Sequence, residues 1–424
     1  YDPSWSRDGR TIAFVSWSDK SLGNIHSVRS SGGKSKRLTT QPGHYSGPRF
    51  SPDGDSIVFR ADSGGFLSSP EWSIETGVFI IDADGGASRR VTSDGYNPHF
   101  GARNDRLYVV RPAAEGDGRD LVSSDQNGAA PRIHARGEYL RRYEVAPDGA
   151  HFAYRENYHI YALPLPPGGK HLTLGTTVSS VNMTRASGDG GNFPNWSNDG
   201  STLNWTLGAS LYSADIDDLF ALPAEGEEDP AYEAPEALAS LSLTLDTDIP
   251  DSLVALTGAR IVTMAADDGG VIEDGVIVVD GNRIAAIGAS DEVDVPAGAQ
   301  VVNVSGKTII PGLIDAHAHG SQGMGFTPQQ NWMNYATLAL GVTTTFDPSN
   351  EATNIFAAAD MQRAGTILAP RIYSTGNIIY GAKSTSFAEI SSLDDARAHV
   401  KRLKAQGAIS VKNYNQPRRN QRQQ

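Results

Sequence analysis

The chain has 424 residues, a formal net charge of −13, 39% hydrophobic residues, 45 glycines, 23 prolines and no cysteine. That length asks for two or three domains, and the glycine and proline content suits a turn-rich protein and excludes a long helical array. Disulfides, thiolate metal sites and cysteine nucleophiles are excluded together, so any bound metal must rest on nitrogen and oxygen; no run of 18 apolar residues is present to span a membrane.

The first half repeats itself. Segments 5–14, 50–59, 145–154 and 196–205 each run from an apolar residue through an Asp-Gly pair (Asp8-Gly9, Asp53-Gly54, Asp148-Gly149, Asp199-Gly200) into an alternating apolar stretch, and 100–109 is a degenerate copy. The leading residues Trp5, Phe50, Phe100, Val145 and Trp196 lie 45, 50, 45 and 51 positions apart. A period of this size predicts propeller blades or a similar array. Each copy reads as strand, Asp-Gly turn, strand. Second turns follow at Gly32-Gly33, Gly85-Gly86, Asn127-Gly128 and Gly168-Gly169, and three of them lead into Leu38-Thr39, Val91-Thr92 or Leu172-Thr173. Two hairpins per unit make a four-stranded blade. The repeated aspartates are turn formers, and none is assigned to catalysis.

This Trp-Ser-x-Asp-Gly pattern resembles the TolB-like propeller repeat, over residues 1–214. The resemblance implies a cell-envelope protein, periplasmic or exported, with the propeller open to a protein partner. Because Tyr1 falls inside a repeat, the true N-terminus is expected to lie upstream.

Residues 215–252 form an acidic connector. Between Asp215 and Asp248 there are eleven acidic residues, among them Glu225, Glu227, Glu228 and Asp229, and no Lys or Arg. This is a solvated joint and argues against a nucleic-acid surface. The alternation of Leu241, Leu243 and Leu245 predicts a strand at its end.

From residue 253 the texture changes. Residues 256–264 predict a strand, and 274–288 predict two strands across Asp280-Gly281-Asn282, so that 253–307 form a small β-sandwich segment. Then comes Thr308-Ile309-Ile310-Pro311-Gly312-Leu313-Ile314-Asp315-Ala316-His317-Ala318-His319, an apolar run that reads as a buried strand delivering polar side chains at its C-terminal end. Alternation would turn His317 and His319 to one face, about 7 Å apart, with Asp315 on the same side. Helices are expected over 331–340, from a cap at Asn350 to Ala364, and from Ser392 to Gly407; strands over 342–346, 371–375 and 408–414, the last bearing Lys412. Strand and helix alternate at βα spacing, which predicts a parallel sheet with right-handed crossovers.

The small sheet, the Pro-Gly-Leu-Ile-Asp-Ala-His-Ala-His run and the strand bearing Lys412 together resemble the amidohydrolase superfamily, in its imidazolonepropionase-like and prolidase-like branch. The resemblance implies a multidomain chain: an all-β propeller, a β-sandwich segment, and over 308–424 the first half of a (β/α)8 TIM barrel with its active site at the strand C-termini. It implies zinc as two divalent ions held by His317, His319 and a carbamylated Lys412, with Asp315 in a positioning role, and hydrolysis of a C–N bond of a small molecule by a metal-bound hydroxide. Members need two further histidines and an aspartate on later strands. Those are not among these residues, so the chain is expected to be an inactive fragment. The competing class is a binding protein whose propeller recognises a partner beside a degenerate barrel. A propeller-capped serine peptidase is excluded because no Gly-x-Ser-x-Gly occurs.

Overall fold

The computed structural model describes residues 1–62, 75–178, 180–221, 232–265, 270–323, 325–382, 384, 387 and 389–423. Among the acidic connector residues, Glu225, Glu227, Glu228 and Asp229 lie outside the described residues.

Five antiparallel sheets follow one another along the first part of the chain. The first is built from Ser4–Trp5, Thr11–Ser16, Asn24–Arg29 and Lys36–Arg37, and the second from Tyr45–Phe50, Ser56–Ala61, Gly77–Asp82 and Arg89–Thr92. The third uses Tyr96–Phe100, Leu107–Pro112, Arg119–Ser124 and Arg132–Gly137, and the fourth Leu140–Val145, His151–Glu156, His159–Pro164 and Thr184–Arg185. Leu172–Leu174, expected in the fourth unit, adds instead in parallel to Arg132–Gly137 of the third.

The Ser-x-Asp-Gly turn has a specific hydrogen-bond logic. Ser6 Oγ donates to Asp8 Oδ1 at 2.6 Å, the Arg10 N–H donates to the same oxygen at 3.0 Å, and the Thr11 N–H donates back to Ser6 Oγ at 3.0 Å. Ser51 with Asp53 and Ser197 with Asp199 repeat it, each at 2.6 Å. Gly9, Gly54 and Gly200 all adopt positive φ, which a Cβ would oppose. These bonds stabilise the ionised carboxylates; Asp199, bonded first of all by Ser197, is held down to about 2.

Four apolar layers lie between successive sheets. Ala13, Ile25 and Leu38 meet Ile57, Phe59 and Phe79 between the first and second, and Val58 and Val78 meet Phe100 and Leu107 between the second and third. Tyr108 and Leu121 meet Tyr143, Phe152 and Tyr154 in the next layer, and Ala153 and Ile160 meet Trp196, Leu203 and Trp205 in the last. Face-to-face burial of alternating side chains is what makes the repeat a stack.

The fifth sheet, Asn192–Trp196, Thr202–Leu207 and Ser210–Asp215, takes its fourth strand, Ala239–Ser240, from inside the 215–252 connector. The strand expected at Leu241, Leu243 and Leu245 does not form, and these leucines are exposed. Alternation marked them as amphipathic, but among the described residues their apolar side is left exposed.

Leu253–Val262 pairs antiparallel with Val271–Asp280, which pairs with Arg283–Ala289, confirming the small sheet. The apolar run after it splits. Thr308–Ile309 joins the small sheet beside Leu253–Val262, and Leu313–Asp315 begins a separate parallel sheet, because Pro311 and Gly312 interrupt the ladder. The run is not buried: Ile310, Leu313 and Ile314 are half exposed or more, since Leu313–Asp315 is an edge strand paired on one side. Val342–Asp347 and Arg371–Ser374 follow in parallel order, and Ile379–Tyr380 pairs with Asn413–Tyr414. Helices Trp332–Ala339, Ala352–Arg363 and Leu393–Gln406 alternate with them.

Two contacts clasp this domain to the propeller. At the first sheet, Trp17 stacks on Phe326 with ring centroids 3.8 Å apart, and Asp19 Oδ2 accepts from the Gln330 N–H at 2.6 Å. At the fourth, the Arg402 guanidinium lies 3.7 Å from the Tyr158 ring centroid and His399 meets that ring edge-on.

Burial, with the Glu138 charge adding to it, pushes the carboxyl of Glu156 in the fourth sheet up to about 7. The folded chain therefore keeps this proton after the unfolded chain has released it. Its stabilising effect is complete below about pH 4.5 and is lost as the pH rises through 7. Glu156→Gln should accordingly be more stable than wild type by about 2 kcal/mol at pH 8 and no more stable near pH 4, read by urea unfolding at both. A difference independent of pH would contradict the assignment.

Candidate functional site

The strand that carries the histidines ends at Asp315, before they begin. Asp315 Oδ1 accepts from the His317 N–H at 3.0 Å, closing a turn, and pairing with the next strand resumes where the Ala318 N–H donates to the Phe346 carbonyl at 3.0 Å. Strand alternation therefore does not set the histidine geometry. The turn does, and it still brings the rings together, edge to face with centroids 5.1 Å apart. Asp315 holds this turn from an exposed position.

Behind the pair lies Asp347, at the C-terminal end of Val342–Asp347 and only 3% exposed. Its carboxylate faces the His319 Nδ1 at 3.2 Å and accepts from the Gly320 N–H at 3.3 Å, the Ser349 N–H at 2.9 Å and the Asn350 amide at 2.8 Å. A carboxylate only accepts, so Nδ1 carries the proton and the His319 Nε2 lone pair is left for another partner. Asn350 also donates to the Gly320 carbonyl at 2.8 Å. It was expected to cap the following helix. That position belongs to Glu351, whose side chain accepts from the Asn354 N–H, because the Asn350 amide is engaged with the histidine loop.

Sequence reading missed Asp347. The signal was present, an aspartate at the end of the β-branched run Val342-Thr343-Thr344-Thr345-Phe346, followed by Pro348 and Ser349. Carboxylates at the C-terminal ends of parallel strands face the functional side of such sheets.

Lys412 departs from expectation. Residues 408–412 do not form a strand, and Lys412 precedes the two-residue strand Asn413–Tyr414, its carbonyl accepting from the Ile379 N–H at 2.9 Å. The side chain is half-buried, with Nζ 5.0 Å from the Tyr414 ring centroid. The cause is local: Ile409 and Val411 on the preceding stretch are exposed. Among the described residues, no group of three or more His, Asp or Glu is arranged to hold a metal ion. His317 and His319 thus stand as a pair, with no third donor of these types gathered beside them among the described residues.

No family model matches the chain. It is 27% identical over 195 residues to the Tol-Pal system protein TolB of Francisella tularensis subsp. mediasiatica (strain FSC147), covering 44% of this chain and 39% of that protein. It is 30% identical over 150 residues to the imidazolonepropionase of Sphingopyxis alaskensis, covering 34% and 37%. It is 40% identical over 141 residues to the uncharacterized peptidase YuxL of Bacillus subtilis, covering 33% and 21%. The chain spans about two-fifths or less of the length of these curated relatives. With five stacked sheets preceding a set of parallel strands, the chain is a β-propeller followed by a hydrolase-like α/β domain. More particularly, it joins a TolB-like propeller to an amidohydrolase-like domain.

Asp347→Ala leaves four donors around a buried space without an acceptor and should cost about 2–4 kcal/mol in urea unfolding. Asp347→Asn, which keeps one acceptor oxygen, should cost less than half as much. Equal losses for the two would mean that shape rather than hydrogen bonding holds the loop.

Proposed function

We propose that the chain carries the metal-binding part of a hydrolase acting on C–N bonds of small molecules, such as a cyclic amide, an imidazolone or a dipeptide. The observation that supports it most is the pairing of His317 with His319, with Asp347 orienting the second ring so that Nε2 remains free. A carboxylate behind a ligating imidazole fixes its tautomer and raises its basicity. The 30% identity to an imidazolonepropionase points to the same chemistry. In this reading the parallel strands are the opening strands of a (β/α)8 barrel, and the histidine loop lies at their C-terminal mouth.

Zinc suits nitrogen and oxygen donors in a chain without thiols, and when bound it supplies a Lewis acid and lowers the pKa of a coordinated water to near neutral. His317 and His319 would hold it, with Lys412 as the third donor once its neutral amine has added carbon dioxide and lost a proton to give an anionic carbamate. That conversion removes the ammonium, and with it the cation–π contact to Tyr414. Asp315 keeps the histidine turn closed.

The propeller is read as the surface for a protein partner, and the likeness to a Tol-Pal system protein supports a periplasmic or exported setting. No helix among the described residues is long and apolar enough to cross a membrane. A second reading, a binding protein without chemistry, is favoured by the lack of a third donor beside the histidines among the described residues.

Zinc content after dialysis, measured by mass spectrometry on the full chain, separates the two. Wild type should retain zinc, His317→Ala and His319→Ala should lose it, and Asp347→Asn should bind about tenfold more weakly. Retention that is indifferent to His317 would rule out this site, and no retention at all would leave the binding protein.

A further inference from the structure

The third copy of the repeat breaks the rule that the other four keep. Where Asp8, Asp53, Asp148 and Asp199 close their turns, it has Arg103, and where Thr11, Ser56, His151 and Thr202 follow three positions on, it has Arg106. Arg103 is exposed and pairs with Asp105 at 2.8 Å. Arg106 lines a cavity of ≈ 430 Å³ between the third and fourth sheets. Arg132 and His134 join it from the third sheet, and Leu165, Pro166 and Pro167 close the other side, just beyond His159–Pro164 of the fourth. That strand starts beside Tyr158 at the domain junction, so the cavity lies at its opposite end, and no residue of the histidine loop lines it.

Both guanidiniums are hydrogen-bonded, but by neutral groups. Arg106 donates to the Ser123 hydroxyl at 2.7 Å and to the Ser123 and Ala130 carbonyls at 3.1 and 3.2 Å. Ala130 holds a φ of +48°, a conformation its neighbours must enforce on a residue with a Cβ. Arg132 donates to the Pro167 carbonyl at 2.7 Å, which leaves most of its donor fork open. Among the described residues no Asp or Glu lines the cavity. The acids nearest along the chain are engaged elsewhere: Asp105 by Arg103, Asp125 by the N–H groups of Asn127 and Ala129 at 2.9 and 2.8 Å, and Asp148 by His151 at 2.7 Å. The corresponding cavity between the first and second sheets, ≈ 550 Å³, sets Asp8, Asp53 and Asp84 beside its basic residues. The loss of acid thus goes with the degenerate repeat. His134 is 9% exposed. The Ser123 hydroxyl accepts from Arg106, and its own proton then serves the His134 Nε2 at 2.6 Å, so that the ring proton stays on Nδ1, which has no partner. Burial, with Arg132 and Arg106 adding to it, lowers His134 to about 4, so the ring is neutral and the charge here is that of the two arginines.

We infer that this cavity binds a phosphate monoester, Arg106 and Arg132 facing its dianion and Leu165, Pro166 and Pro167 receiving its organic part. A phosphate monoester carries a charge of nearly −2 at neutral pH and matches two guanidiniums that have no carboxylate, whereas a carboxylic acid would match one. The open fork of Arg132 suits phosphate oxygens, which can take two parallel N–H bonds. Inorganic phosphate alone would leave most of the cavity unfilled, and an apolar body would remove the leucine and proline surface from water. The site is independent of the hydrolase reading, since it stands whether or not the histidine pair binds a metal.

Titration calorimetry on the full chain near neutral pH with phenyl phosphate, inorganic phosphate and benzoate tests it. Phenyl phosphate should bind about tenfold or more tightly than either of the others, because it alone has both the dianion and the apolar body. Arg132→Gln should weaken it about tenfold and Arg132→Glu should abolish it, while Arg103→Gln, at the exposed arginine of the same repeat, should leave it unchanged. If those Arg132 variants fail to fold, Arg132→Lys, which keeps the charge and loses the fork, should still weaken binding by about threefold. Absence of phenyl phosphate binding, equal binding of inorganic phosphate or benzoate, wild-type affinity in the Arg132 variants, or an equal loss in Arg103→Gln would each overturn the assignment. His317→Ala separates this site from a phosphate held by a metal at the histidines. Binding kept in that variant supports the cavity even if the hydrolase reading fails, and binding lost there but kept in Arg132→Gln would overturn it.

Discussion

One buried carboxylate holds the functional region together. Asp347 gathers an imidazole, two backbone N–H groups and a side-chain amide from two segments, residues 319–320 and 349–350, that have no ladder between them. A buried charge is tolerated only when its lone pairs are engaged, and here all four donors converge on it. The consequence is rigidity where the sequence otherwise supplies loop: the histidines lie beyond the end of their strand, on exposed backbone, and would be free to turn without this anchor. The same residue fixes Asn350, and so ties the histidine loop to the segment that opens the Ala352–Arg363 helix.

The propeller restrains the region from outside. Phe326, a few residues beyond His319, is stacked on Trp17 and met edge-on by His44, so the loop that leaves the histidines is pinned to the first sheet. At the fourth sheet the Leu393–Gln406 helix packs through Arg402 and His399 onto Tyr158, and a Cβ at Gly208 would run into the Ala405 carbonyl oxygen. Burial lowers His399 to about 3 and His159 to about 4. Both are therefore neutral in the folded chain where an unfolded chain would already take up protons near 6.5, so this contact is fully stable above that pH and weakens as the pH falls toward 4. The aromatic and imidazole surface is joined there by the Arg402 guanidinium over Tyr158 and by an ion pair between Lys401 and Asp189 at 3.6 Å.

Much of this was legible in the sequence, and the limits have physical causes. The repeat was readable because its turn is a local device: Ser, Asp and Gly at fixed offsets satisfy one another within six residues, as Ser6, Asp8 and Gly9 do. The helix stops at Gly365 and Gly407 were readable for the same reason, each glycine adopting positive φ. What failed were inferences that needed a neighbour. The apolar run from Thr308 to Ile314 looked buried because it is apolar, yet Leu313–Asp315 has a partner on one side alone. Lys412 was placed on a strand by its apolar preceding residues, which lie exposed. The role of Asp347 could not be read at all without knowing that residues 319, 320 and 350 meet there.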